Sequence, residues 1–259
     1  MSNDSNFEII RNRILIFVIV ASALIFWEIG ANMKIIKTFY ASQPSAIFID
    51  FYNFIMSGEI FIHLGITLKE ASLGLLFGTI AGISCGVLLG RIKWLADLFE
   101  PIISALYGIP KLALAPIFIL WFGLGIESKV FLSAILVFYL VFFSTFEGIR
   151  SIDSNIVAAI KLMGANRFQI FMKVTLPSCI PWIITGVRGG IGASLLGAIV
   201  GEYMGASAGL GWMVQYATTT YQVDRVMSCI LTLLLIGLLF NKGLKYCEAR
   251  LLRWRPNNC

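Results

Sequence analysis

The chain has 259 residues, of which 58% are hydrophobic and 13% charged, with a formal net charge of +6. Soluble domains carry about 25% charged residues, and an aqueous fold of this composition would leave large apolar patches exposed. The positive charge does not point to nucleic acid, because it is parcelled into short segments between long apolar blocks, the pattern of a multi-pass membrane protein.

Six spans are expected. Met1 to Phe7 is polar and acidic, unlike a secretory leader, and span one follows at about residues 14–31. The next connection opens at Pro44-Ser45 into an amphipathic segment with Ile47, Phe48, Phe51, Phe54 and Ile55 on its apolar side, ended by Gly58-Glu59. Span two, about 71–90, is uncharged and carries Gly74, Gly78, Gly82, Gly86 and Gly90 at intervals of four. Span three, about 102–125, is interrupted by Pro110-Lys111 and by Pro116, two candidate bends for moving helices. Span four lies at about 130–146. Span five, about 179–201, contains Arg188, and Gly197, Gly201, Gly205 and Gly209 repeat the interval of four beyond it. Glu202 falls at its outer end. Span six, about 226–240, extends towards Tyr246.

An interval of four places small residues on one helix face, where backbones approach closely in lipid. Two readings stay open for these ladders: packing inside one subunit, or an interface between subunits. Arg188 also has two readings, attraction of an anionic solute within the path or snorkelling to the interface.

Orientation follows from lysine and arginine. With both termini inside, thirteen basic residues fall in inner segments (Arg11, Arg13, Arg91, Lys93, Arg150, Lys161, Arg167, Lys173, Lys242, Lys245, Arg250, Arg253 and Arg255) and four in outer ones (Lys34, Lys37, Lys129 and Arg225). Lys69, Lys111 and Arg188 lie within or beside spans. The six tryptophans, Trp27, Trp94, Trp121, Trp182, Trp212 and Trp254, fall mostly near span ends, as interfacial tryptophans do.

Catalytic chemistry finds no footing in the sequence. There is one histidine, His63, expected to be a packing residue, and neither GxSxG nor HExxH occurs. The five cysteines, Cys85, Cys179, Cys229, Cys247 and Cys259, form no CxxC pair and read as single buried thiols rather than a disulfide or metal framework. No GxxxxGK[ST] occurs, so ATP is not expected to bind here through a P-loop.

The inner connection at about 150–177 is the most informative segment. Ser154 is the expected cap of a short helix with Ile156, Ala159, Ile160 and Met163 on one face. Gly164 supplies the left-handed stop. Asn166 caps a second short helix, with Phe168, Phe171 and Met172 on its apolar side, and Pro177 limits it before span five. The outcome would be a docking knob or, alternatively, an interfacial helix lying on lipid.

The run Ala158-Ala159-Ile160, then Gly164-Ala165, then Val174-Thr175-Leu176-Pro177 resembles the "EAA" loop of permease subunits of binding-protein-dependent ABC importers. That motif reads Glu-Ala-Ala, three residues, Gly, nine residues, Ile, one residue, Leu-Pro. The second half fits in spacing. In the first half Ala158 stands where the family has Glu, and Ile160 where a second Ala is usual. The stretch from Ile109 to Pro116 leading to Trp121-Phe122-Gly123-Leu124-Gly125, and Glu202 with Gly209-Leu210-Gly211, look like the nitrate/sulfonate/taurine branch of that family.

The resemblance implies an all-α, polytopic type I ABC importer permease fold of about six transmembrane helices, in one domain over residues 1–259. It implies a bacterial inner-membrane permease that hydrolyses nothing itself. A dimer of ATPase subunits, carrying ATP and magnesium, would seat on Ala158, Ala159, Lys161, Gly164, Ala165, Phe168, Val174, Leu176 and Pro177. An extracytoplasmic binding protein would deliver the solute, and a second permease subunit, usually identical, would complete the path. Sulfonates, taurine and nitrate are the implied solutes, with a thiamine-precursor pyrimidine as the alternative. A stand-alone secondary transporter or channel is the competing class; it would need ionisable groups at mid-membrane.

Overall fold

The computed structural model describes residues 2–251, and every regular element among them is helical. Arg253, Trp254, Arg255, Cys259 and the side chain of Cys247 lie outside the described residues. The chain packs as two compact units, Met1–Phe61 with Met213–Thr232, and Ile62–Trp212 with Leu233–Cys259.

In the first unit, α1 (Ser2–Asn32) carries its apolar residues from Ile14 onward and leaves Ile14 to Val20 exposed, a surface suited to lipid. A short α2 (Thr38–Ala41) precedes α3 (Pro44–Met56). Glu28 of α1 accepts from the backbone N–H of Ser45 at 3.0 Å and from its hydroxyl at 2.8 Å, an anion held at the start of α3. The apolar side of α3 buries Ile47 and Phe54 but leaves Phe48 exposed. Arg225, near the start of α12 (Val223–Leu251), bonds both carboxylate oxygens of Asp50 and one of Glu59 at 3.0–3.2 Å and covers the Phe54 ring at 4.3 Å. Arg225 is therefore a clamp on α3 rather than the loop charge expected from its position.

The second unit is built around α7 (Ile126–Arg150), clasped between α4 (Glu59–Arg91) and α10 (Leu176–Gly205). The glycine ladders explain the approach. A Cβ at Gly78 would stand 2.7 Å from that of Val137; at Gly82, 2.9 Å from that of Val141; at Gly86, 2.8 Å from that of Thr145; at Gly90, 2.9 Å from that of Ile149. Gly74 faces Ser133. From the opposite side Gly197 meets the Ser133 backbone and Gly201 meets Lys129. The first ladder and the Gly197–Gly201 part of the second thus bear on one helix of their own chain, as close backbone packing in lipid requires, whereas Gly205 meets Ile119 and Leu124 and Gly209 meets Glu202. Cys179 is buried and Cys85 half-buried, both as free thiols.

Five helical stretches are long and apolar enough to cross a membrane: Arg11–Asn32, Glu59–Arg91, Ile126–Arg150, Arg167–Gly205 and Val223–Tyr246. Taken together as one broken span, the pair α5 (Lys93–Tyr107) and Lys111–Phe122, bent by 79°, makes a sixth. The second part begins as a 3-10 turn, Lys111–Leu114, and continues as α6 (Ala115–Phe122). The break falls at Gly108 to Pro110. Pro116 sits in the first turn of α6, where its missing N–H costs nothing, so it opens a helix and does not bend one. Pro101 and Pro181, inside α5 and α10, are prolines that the sequence reading passed over.

Candidate coupling surface and transport path

The segment after α7 forms α8 (Ser154–Leu162), α9 (Arg167–Ile170) and a π turn, Phe171–Thr175, that leads without a break into α10. Asp153, not Ser154, caps α8: its Oδ1 accepts from the Asn155 N–H at 2.8 Å, which leaves Ser154 as the first helical residue. Gly164 stops α8 at φ +87°, a conformation that favours glycine. Asn166 caps α9 in a reciprocal box with Gln169, both bonds 2.8 Å long. Pro177 does not end that helix. It lies in the first turn of α10, and the 39-residue run Arg167–Gly205 is one continuous helix. At 1.5 Å per residue that run is about 58 Å long, roughly twice the hydrocarbon thickness, so part of it must project beyond the bilayer.

Neither α8 nor α9 buries a residue. Leu162 is 89% exposed, Met163 85% and Phe168 70%, with Ile156 exposed beside them. Ala158, Ala159, Lys161 and Gly164 are exposed too, whereas Ala165, Val174, Leu176 and Pro177 are half-buried towards the root of the segment. The guanidinium of Arg91 stands 4.3 Å over the Phe171 ring and ties the end of α4 to that root. Arg150, ending α7, bonds Glu100 of α5 at 2.9 Å. The arrangement is a rigidly capped knob with a bare apolar tip.

The other end of α10 is its opposite. Glu202 is fully buried; its Oε1 accepts from the Thr67 hydroxyl and its Oε2 from the Gly211 N–H, each at 2.6 Å. Thr67 also accepts from the Leu210 N–H at 2.9 Å, and His63 Nδ1 accepts from the Gly209 N–H at 3.1 Å while its ring stacks on Trp212. Side chains at Gly209 or Gly211 would strike the Glu202 carboxylate. Glu70 lies against Glu202 and Lys129, and its Oε2 has no hydrogen-bond partner among the described residues. Lys129, 2% exposed, donates to the carbonyls of Leu124, Gly125 (2.9 Å) and Gly205 (2.7 Å). Lys129 is thus no outer loop charge, and Glu202 is a buried strut for the 206–211 loop.

Arg188 forms an ion pair with Glu248 of α12 at a half-exposed position. In the second unit Lys111 meets a cavity. About 480 Å³ of space opens beside the 108–110 break, lined by Tyr107, Ile109, Pro110, Lys111 and Leu112, with Leu136 and Leu140 of α7 and Ala193 and Leu196 of α10. Sequence reading placed Lys111 beside a span but had no means of seeing this space, which exists only because the span is broken. No group of three or more metal-binding side chains occurs among the described residues.

The family described as binding-protein-dependent transport system inner membrane component matches residues 74–253. The "Putative aliphatic sulfonates transport permease protein SsuC" of Bacillus subtilis (strain 168) is 34% identical over 229 residues, covering 88% of this chain and 83% of that protein. The formylaminopyrimidine transport permease protein ThiX of Halalkalibacterium halodurans is also 34% identical, over 233 residues, covering 90% and 92%. Among solved structures, the inward-facing MetNI methionine ABC transporter matches with a TM-score of 0.64 at 21% identity, over 76% of this chain and 96% of that one, a likeness of fold.

Proposed function

The chain belongs to the family of binding-protein-dependent transport system inner membrane components and is a permease subunit of an ABC importer; from that premise we propose how it is energised, oriented and loaded. The knob of α8 and α9 is the seat of an ATPase subunit. The observation that carries this is the apolar tip: Leu162, Met163 and Phe168 stand bare on a firmly capped scaffold. Burying each would stabilise a complex by about 2 kcal/mol, while leaving them in water serves no folding purpose.

The rest of the reading follows. The knob faces the cytoplasm with both termini, in accord with the basic inner segments, and the membrane is a bacterial inner membrane. The whole chain acts as one permease domain, paired with an identical copy around a shared path. Two ATPase subunits carry ATP and magnesium, and the ATPase cycle drives the helices through the knobs. A binding protein on the far side delivers the solute. Nucleic acid plays no part.

The solute is a small sulfonate, taurine, nitrate or a similar anion, supported by the relationship to the sulfonate permease. The pyrimidine permease, related at equal identity, supports a thiamine-precursor pyrimidine as the second reading. Purification in mild detergent from native membranes, with mass spectrometry of the companions, tests the assembly. An ATPase and a secreted or lipid-anchored binding protein are expected, and the binding protein's ligand names the solute. A chain that purifies alone, folded and oligomeric, would instead favour a transporter working without ATP.

A further inference from the structure

Two cations of the second unit are buried among the described residues, and one of them lacks an acid. Lys129 has Glu70 and Glu202 beside it. Lys111 is 9% exposed and pairs with no carboxylate among the described residues. Its ammonium donates to the carbonyls of Tyr107 at 2.5 Å and Ile109 at 3.3 Å, the groups freed by the break after α5. It also lies 4.3 Å from the centre of the Tyr107 ring and 4.5 Å from that of Tyr139. Dipoles and ring faces steady a cation without neutralising it. An ammonium has three donors, and two are spent on the break.

The position gives that charge a purpose. Leu136 and Leu140 are near the middle of α7, and Ala193 near the middle of α10, so the 480 Å³ cavity lies at mid-membrane height. Backbone that departs from helix at that depth is tolerated only inside protein or beside a solute path. Lys111 is the only lysine, arginine or acidic residue among those lining the cavity. A positive charge uncompensated in a low-dielectric space attracts whatever negative group can reach it.

We propose that the cavity at the broken span is a waypoint of the transport path and that Lys111 makes it selective for small solutes bearing a sulfonate, carboxylate or phosphate group. The inference rests on the importer reading and narrows it, because an anionic group gains more from an unpaired ammonium than a neutral heterocycle does. Ala193, which lines the space from α10, is the reporter position.

The test uses the full importer in native membrane vesicles of both orientations, with the native cysteines replaced and Ala193→Cys introduced. Rates of thiol modification are compared for two methanethiosulfonate reagents of similar size, the anionic sulfonatoethyl and the cationic trimethylammonioethyl compounds. With Lys111 present the anionic reagent is favoured. Lys111→Gln should lower the anionic-to-cationic rate ratio by about tenfold, and Lys111→Arg should keep it. An unchanged ratio in Lys111→Gln overturns the charge selection. A thiol silent to both reagents from both sides overturns the waypoint. Co-purification of the ATPase with each variant separates the two ideas: bound ATPase with an unchanged ratio sinks this inference alone, whereas absent ATPase in the unsubstituted chain sinks the importer reading.

Discussion

The helical run from Arg167 to Gly205 ends in two opposite environments. At one end Glu202, Thr67 and Lys129 are buried and every polar atom of Glu202 is bonded. At the other, Leu162, Met163 and Phe168 are bare. The usual distribution, apolar inside and charged outside, is reversed at both ends. Charge inside costs several kcal/mol unless paired, so the first end is built to stay shut around one arrangement. Apolar surface outside weakens solubility unless covered, so the second is built to be met. One end fixes the helix within its chain, and the other commits it to a partner.

The comparison can be broken most severely at the knob. Gly164→Arg forces a side chain into the left-handed region at φ +87° and into the docking face. ATP-driven uptake should fall to background while the protein stays in the membrane at normal amount; normal uptake would refute the docking role. At the buried end, Glu202→Ala strips acceptors from Thr67 and Gly211 and leaves Lys129 less compensated. It should lower stability by about 3 kcal/mol, read as a drop in the thermal midpoint of the purified protein.

A milder change sharpens the contrast. Leu162→Ser together with Met163→Ser should weaken ATPase binding by at least about thirtyfold and leave that thermal midpoint where it was, since neither side chain is buried in this chain. A fallen midpoint would mean that the tip packs within the chain. The smallest effect is expected from Ala158→Glu, which restores the family's usual residue. An exposed ion pair contributes about 0–1 kcal/mol, so titration should show ATPase affinity rising by no more than about fivefold.

What the sequence made legible was local and periodic. Glycines four apart report a shared face whatever the neighbour, and the structure puts α7 against the whole first ladder and against Gly197 and Gly201 of the second. Asn166 was readable as a cap because its acceptor reaches only two or three residues ahead. Ser154 was misread by one position, since Asp153 and Ser154 are both good caps and only backbone geometry separates them. Pro177 misled for a different reason. A proline in the first turn of a helix is harmless, and only the π turn before it makes that position a first turn while the helix runs on. Glu202 and Lys111 were beyond reach: one is buried by a loop from later in the chain, the other is exposed to a space made by a 79° bend.

The continuity of that helical run has a mechanical consequence. A rod of about 58 Å pivoting by about 10° on its secured end sweeps its far end through about 10 Å. Small closures of a docked partner are therefore geared to still smaller rotations near the pivot, with the π turn at Phe171–Thr175 and Pro181 as compliant joints nearer the driven end.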